Sequence, residues 1–316
     1  MVSTMKFTGD NAFKILVAVI ATSALIILLI TSYILTEGSL PVLQKFGLNF
    51  FLGQQWIPVD GREIFGILPY VLGTLTTAGI ALLIGVPLSL GIAIFLVEMA
   101  PRSIRVPISY LVELLAAVPS VIYGLWGLFV FRFWMLNFIE IPVSNYLGWI
   151  PFFNSQQIGL NIFTAGAILA IMIIPTVASL SKEVLAAVPN SIREGAYSIG
   201  ATKWEVISRW VLSYGRSGIF GAIILGLGRA VGETMAVTML IGNATGSVAM
   251  PSSLFQPGQT LASLIANGFL DASRGSLASS AYIGAGLTLL FMSLLINVGA
   301  HLVMTRLFKV KGGTVE

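Results

Sequence analysis

Apolar residues gather along this chain into six long blocks, each close to the length that crosses a bilayer. A spanning helix needs about 20 mostly apolar residues. The blocks predict spans over Ala12–Leu35, Phe65–Val97, Val106–Phe133, Gly159–Leu180, Gly218–Ile241 and Ser280–Leu302. The first is too long for a signal peptide, and Thr36-Glu37-Gly38 does not make a cleavage site. Pro69 and Pro87 predict bends or a split in the second block, while Pro119 sits inside the third and Pro175 near the end of the fourth. The stretches between blocks are of different kinds. Residues 36–64, 136–158 and 242–279 are mixed loops, and 181–217 is polar and helix-prone. Within the last loop, Leu261–Leu270 is too short to cross and predicts a re-entrant or interfacial helix.

Composition agrees with that pattern. Hydrophobic residues make up 56% of the 316 positions and charged residues 9%, against about 25% charged in soluble domains. Mean hydropathy is +0.94. With no cysteine and one histidine, disulfide scaffolds and thiolate or His-rich metal sites are excluded. So apolar a chain also suits neither disorder nor nucleic-acid binding. The fold class is all-α: a polytopic protein of the lipid bilayer with six transmembrane helices, in a single domain over 1–316.

Charge placement orients the spans. With the N-terminus inside, the inner segments hold Lys6, Lys14, Arg102, Arg105, Lys182, Arg193, Lys203, Arg209, Arg216, Arg306, Lys309 and Lys311. The outer loops hold only Lys45, Arg62 and Arg274. Both termini are therefore expected in the cytoplasm, in a plasma-membrane protein. Trp56, Trp134 and Trp149 fall at or near outer span ends, where an interfacial ring is favoured. Arg132 is expected to snorkel outward and His301 to sit at the inner interface.

The inner segment 181–217 carries the first specific signal. Pro189 and Asn190 start a helix, Gly200 breaks it, and a second begins after Ala201. The turn exposes Tyr197, Ile199 and Trp204, a knob suited to a groove on a soluble partner. Its Glu-x-Ala-x3-Gly spacing resembles the EAA loop of ABC-importer permeases, EAA-x3-G-x9-I-x-L-P. Glu194, Ala196, Gly200 and Leu212 match, whereas Gly195, Trp210 and Ser213 depart from the pattern.

Two further stretches narrow the likeness. Glu113-Leu-Leu-Ala-Ala-Val-Pro119-Ser-Val-Ile-Tyr-Gly-Leu-Trp-Gly127 resembles the third-span signature of phosphate permeases, and Gly226-Leu-Gly-Arg229-Ala-Val-Gly-Glu233-Thr234-Met-Ala236 the fifth. Together with the length and loop layout, they make the chain similar to the PstC-type permeases of phosphate ABC importers. That resemblance implies a type I (MetI-like) importer fold and phosphate import. It also implies a second permease (PstA-type), two ATP-binding subunits (PstB-type) and an external phosphate-binding protein (PstS-type). No Gly-x4-Gly-Lys-Ser/Thr loop is present, so no cofactor is expected on this chain and ATP-Mg belongs to the partner ATPase. Another oxyanion (molybdate, tungstate or sulfate) and a transport-linked phosphate sensor are the alternatives.

Candidate residues follow. Glu194, Gly195, Ala196 and Gly200 are expected to dock the ATPase. Arg229, Glu233 and Thr234 are the candidate substrate pathway. A charge at the bilayer centre costs about 2.5–3.5 kcal/mol on insertion scales, and spacing of four puts Arg229 and Glu233 on one helix face. Small Ala222, Gly226 and Ala236 share their stripe, and Gly228-x3-Gly232 fits a close helix contact. Arg229 has the fork to hold an anion, and Glu233 the acceptor for a protonated phosphate hydroxyl. The competing reading is a structural ion pair joining two helices. Glu113, one or two turns into the third span, and Pro119 are gating or structural candidates.

Overall fold

The computed structural model describes residues 9–154 and 156–307. Lys6, Lys309 and Lys311, three of the inner basic residues, lie outside them. Among the described residues, six helices are long and apolar enough to cross a membrane: Asn11–Phe46, Leu68–Met99, Ser120–Leu147, Ile162–Ala186, Lys203–Gly232 and Leu277–Arg306, the first to sixth spans in chain order.

The fourth span is the most buried and forms the centre. Asn161 starts it, its side chain accepting from Thr164 N at 2.9 Å and donating to buried Glu140 at 2.9 Å. Small residues let the second span lie against it. A Cβ on Gly85 would come 2.9 Å from Ile173, and one on Gly166 would come 2.6 Å from Ile80. Close backbone approach of this kind replaces the hydrophobic driving force that lipid removes. Pro87 does not split the second span, which runs as α-helix from Leu68 to Ile94 before widening into a π-turn over Phe95–Met99.

The third span differs most from expectation. A separate amphipathic helix covers Arg102–Ala117 and buries no residue. Val118 and Pro119 are then extended (ψ 126° and 139°), and the span begins at Ser120. Pro disfavours helical geometry in the residue before it, so Pro119 ends one helix and starts another rather than bending one. Glu113 consequently lies outside the span, paired with Lys182 at 3.1 Å. The span's other end continues to Leu147 through two π-turns, so Trp134 and Arg132 sit within it. Arg132 stacks on Phe133 at 4.5 Å, and its buried Nε has no partner among the described residues.

The first span also outruns its prediction, reaching Phe46. Thr36 and Ser39 donate to carbonyls of the preceding turn at 2.7 and 2.9 Å, which satisfies their hydroxyls inside the helix. Beyond it, strands β1 (Trp56–Ile57) and β2 (Ile64–Phe65) pair antiparallel. Lys45 lies 3.4 Å from the hairpin's Glu63. That carboxyl is held below its ordinary value, first by its own backbone amide and then by the lysine. Trp56 is not an interfacial ring: it is 6% exposed and packs on Phe65, Tyr70 and Tyr282 at 4.9, 5.7 and 5.2 Å. Each such aromatic pair adds about 0.5–1.5 kcal/mol beyond area burial. The short apolar run forms the helix Leu261–Gly268, capped at Thr260.

Candidate functional site

The loop between the fourth and fifth spans is built as a capped turn. A helix covers Asn190–Ser198. Gly200 N donates to Tyr197 O at 3.0 Å and Ala201 N to Ala196 O at 3.2 Å, the paired bonds of a Schellman ending. That ending requires the left-handed region, and Gly200 has φ +84°. Thr202 then caps the fifth span in a reciprocal capping box with Glu205. Of the four candidates here, Ala196 is buried among Val188, Val206 and Val211. Glu194 and Gly195 face solvent. Ile199 and Trp204 are 72% and 70% exposed.

Arg193 anchors this turn, and sequence reasoning missed it. Its guanidinium donates to Glu98 at 2.7 and 3.1 Å and to Leu185 O at 3.1 Å, and it also reaches Val188 O. One side chain thereby joins the loop helix to the ends of the second and fourth spans. Glu98 lies 95 positions away, and no local pattern marks such a pair.

The fifth span is broken where the second candidate group lies. Its helix ends at Gly232, Glu233 is extended (ψ 128°), and a short helix restarts over Met235–Leu240. Arg229 and Glu233 therefore do not share a helix face and form no ion pair. Arg229 Nη1 donates to Thr176 Oγ1 on the fourth span at 3.1 Å. Glu233 Oε1 accepts from Ala236 N at 3.4 Å, capping the restart. Thr234 Oγ1 donates to Gly232 O at 3.3 Å, and Thr234 O accepts from Thr238 N at 2.9 Å. All three residues are half-buried. The expected Gly228/Gly232 contact is not made as a pair: a Cβ on Gly228 would face Asn297, and one on Gly232 would meet nothing within 4 Å. The close approaches are Gly226 on Val177 and Gly218 on Val184, where a Cβ on either glycine would come 2.6 Å from a valine methyl.

Broken helices are tolerated at membrane depth only where the freed backbone is buried in protein or lines a polar cavity. Here the break places a fixed cation, a carboxylate and a hydroxyl within six residues. About 40 Å of helix separates it from the loop at Lys203, at 1.5 Å per residue, so the two candidate groups are distinct sites on one element.

Comparison with known proteins supplies the context. The family described as binding-protein-dependent transport system inner membrane component matches residues 85–309. The phosphate transport system permease protein PstC of Haemophilus influenzae is 44% identical over 307 residues, 96% of this chain and 95% of that one. Its namesake in Mesorhizobium japonicum is 43% identical over 277 residues, 86% and 83% of the two chains. Among solved structures, a bacterial alginate ABC transporter in complex with alginate pentasaccharide-bound periplasmic protein aligns with TM-score 0.60 at 19% identity, covering 94% of this chain and 96% of that chain. The MetNI methionine ABC transporter aligns with TM-score 0.52 at 15% identity, covering 77% and 94%. At those identities the likeness is one of fold.

Proposed function

The chain belongs to the binding-protein-dependent transport system inner membrane component family, and from that premise we propose that it is one permease half of an ATP-driven phosphate importer. It is a multi-pass membrane transport permease and not an enzyme; ATP hydrolysis belongs to separate subunits of such transporters. The observation that carries the reading is the break at Glu233–Thr234, with Arg229 one turn before it, in a chain 44% identical to a phosphate permease.

Both termini face the cytoplasm, an orientation supported by the placement of the basic residues, and residues 1–316 act as one domain. The partners are a PstA-type permease, two PstB-type ATPases carrying ATP-Mg, and a PstS-type phosphate-binding protein. The Asn190–Ser198 helix docks the ATPase, with Glu194 on its free face and Gly200 holding the turn. In the pathway, Arg229 offers a planar fork to two phosphate oxygens. Thr176 already fixes one arm of that guanidinium, which limits the ordering cost of binding. Glu233 accepts the hydroxyl of protonated phosphate, which fully ionised sulfate lacks. Thr234 adds a neutral hydroxyl beside them.

Labelled-phosphate uptake into vesicles carrying the complete complex tests this. Arg229→Gln should reduce uptake by at least about 100-fold, the scale of one lost charge-assisted contact in a desolvated site, while ATPase binding persists. The paired change R229Q/E233Q should be equally dead. Restored uptake in the double variant would instead make the two residues mutually compensating charges. A complex that hydrolyses ATP but accumulates another oxyanion would sink the phosphate reading.

A further inference from the structure

Two spans carry a break, and the helical segments that follow the breaks lie side by side. The third span starts at Ser120 after the extended pair Val118 and Pro119, and the fifth restarts at Met235 after Glu233 and Thr234. A Cβ on Gly124 would come 3.1 Å from Cα of Ala236 and 2.6 Å from the sulfur of Met239. The first turn of the third span therefore sets where the restart Met235–Leu240 sits.

Tyr123, the neighbour of Gly124, holds that turn. Its ring is 8% exposed, in the same core as Ala230, Ala236 and Leu240. Its hydroxyl donates to Leu115 O at 3.0 Å, eight positions back and on the far side of the Pro119 break. A continued helix would pair that carbonyl with the N–H of residue 119, which proline lacks. The phenol supplies the missing donor, so one side-chain bond closes the gap that Pro119 opens. The helix end it grips is tied in turn to the fourth span by Glu113 and Lys182 at 3.1 Å. The same span carries Thr176, the partner of Arg229.

The two candidate charges belong to different bodies. Arg229 is on the helix that ends at Gly232, whereas Glu233 is bonded to Ala236 N of the restart. Their relative setting depends on how the restart sits, and the field of Arg229 reaches Tyr123 as well. We propose that Tyr123 is a positioning residue of the anion site: by bonding Leu115 across the Pro119 break, it fixes the turn against which the restart packs, and with it the setting of Glu233 relative to Arg229. The assignment rests on the importer reading given above. The Glu113–Lys182 pair has a smaller share in the same task, because a half-exposed pair contributes little.

Phosphate accumulated per ATP hydrolysed, in vesicles carrying the complete complex, reads the setting of the site. Tyr123→Phe keeps the ring and removes only the bond. It should lower that ratio about tenfold, with assembly and the hydrolysis rate within about twofold of the unaltered complex. A side chain that merely packs would leave the ratio alone, because Phe packs as Tyr does. This chain has no cysteine. Spin labels at I122C and M235C, in a complex whose other subunits are cleared of cysteine, report the separation of the two segments. Their distance distribution should broaden in Tyr123→Phe. An unchanged ratio or an unchanged distribution in the assembled variant overturns the proposal. If Tyr123→Phe fails to assemble, Glu113→Gln carries the test: the ratio should fall about twofold, and no change there overturns the proposal equally. Arg229→Gln in the same assay separates the two readings. Normal uptake sinks the anion site and the assignment with it, whereas a dead Arg229→Gln beside a tightly coupled Tyr123→Phe sinks the assignment alone.

Discussion

Gly195 and Gly200 stand in one turn, yet only one of them requires glycine. Gly200 needs φ +84° to close the Schellman ending, whereas Gly195 lies in the helix with open space where a Cβ would sit. Gly200→Val should therefore uncouple ATP hydrolysis from uptake and cost at least about 1–2 kcal/mol locally, with membrane insertion normal. Gly195→Ala should be silent in transport and stabilise the helix by up to about 1 kcal/mol. A Gly200→Val complex with tight coupling would contradict this. The turn at Gly200 is legible in the sequence because a glycine between two helix signals has few explanations. The Arg229–Glu233 relation is not, because spacing of four implies a shared face only if the helix continues.

Packing between elements is where sequence reasoning has least to use. Six blocks of hydropathy mark six spans, but the third starts more than a dozen residues later than its block, because a window average does not see that Pro119 separates two helices. The Arg102–Ala117 helix is amphipathic, so its apolar side merges with the span that follows it. The Arg193–Glu98 link is equally invisible, because its partners meet only when the second span and the loop come together. Both side chains are largely buried, and removing one partner strands the other. Arg193→Gln should destabilise by about 3–5 kcal/mol, read as a lower unfolding temperature of the complex and faster proteolysis within Asn190–Ser198. The double change R193Q/E98Q should recover part of that loss. Equal loss in the single and double variants would show that the carbonyl contacts at Leu185 and Val188, not the ion pair, hold the turn.

At the scale of the molecule, the first span stands apart. The family match begins at residue 85, and no residue in the span's most apolar window is buried. Its contacts lie toward the far end, where Gly38 meets Ile283 and Val42 joins the aromatic cluster. Replacing residues 13–30 with a generic Leu/Ala span should leave uptake within about twofold, because lipid contacts there specify hydrophobicity rather than identity. Loss of uptake in an assembled complex would show that the segment recognises a protein surface. The fifth span has the opposite character. From the capping box at Thr202 to Gly232 it is one continuous helical rod, with the Gly200 turn at its base and Arg229 near its tip. Such a rod is a lever arm: a tilt of about 10° at the base sweeps a point about 40 Å along by about 7 Å. Under the proposed docking, a displacement where the ATPase meets the Gly200 turn would be multiplied at Arg229, beyond which the helix breaks after Gly232 and Met235–Leu240 packs against Gly124 and Gly127.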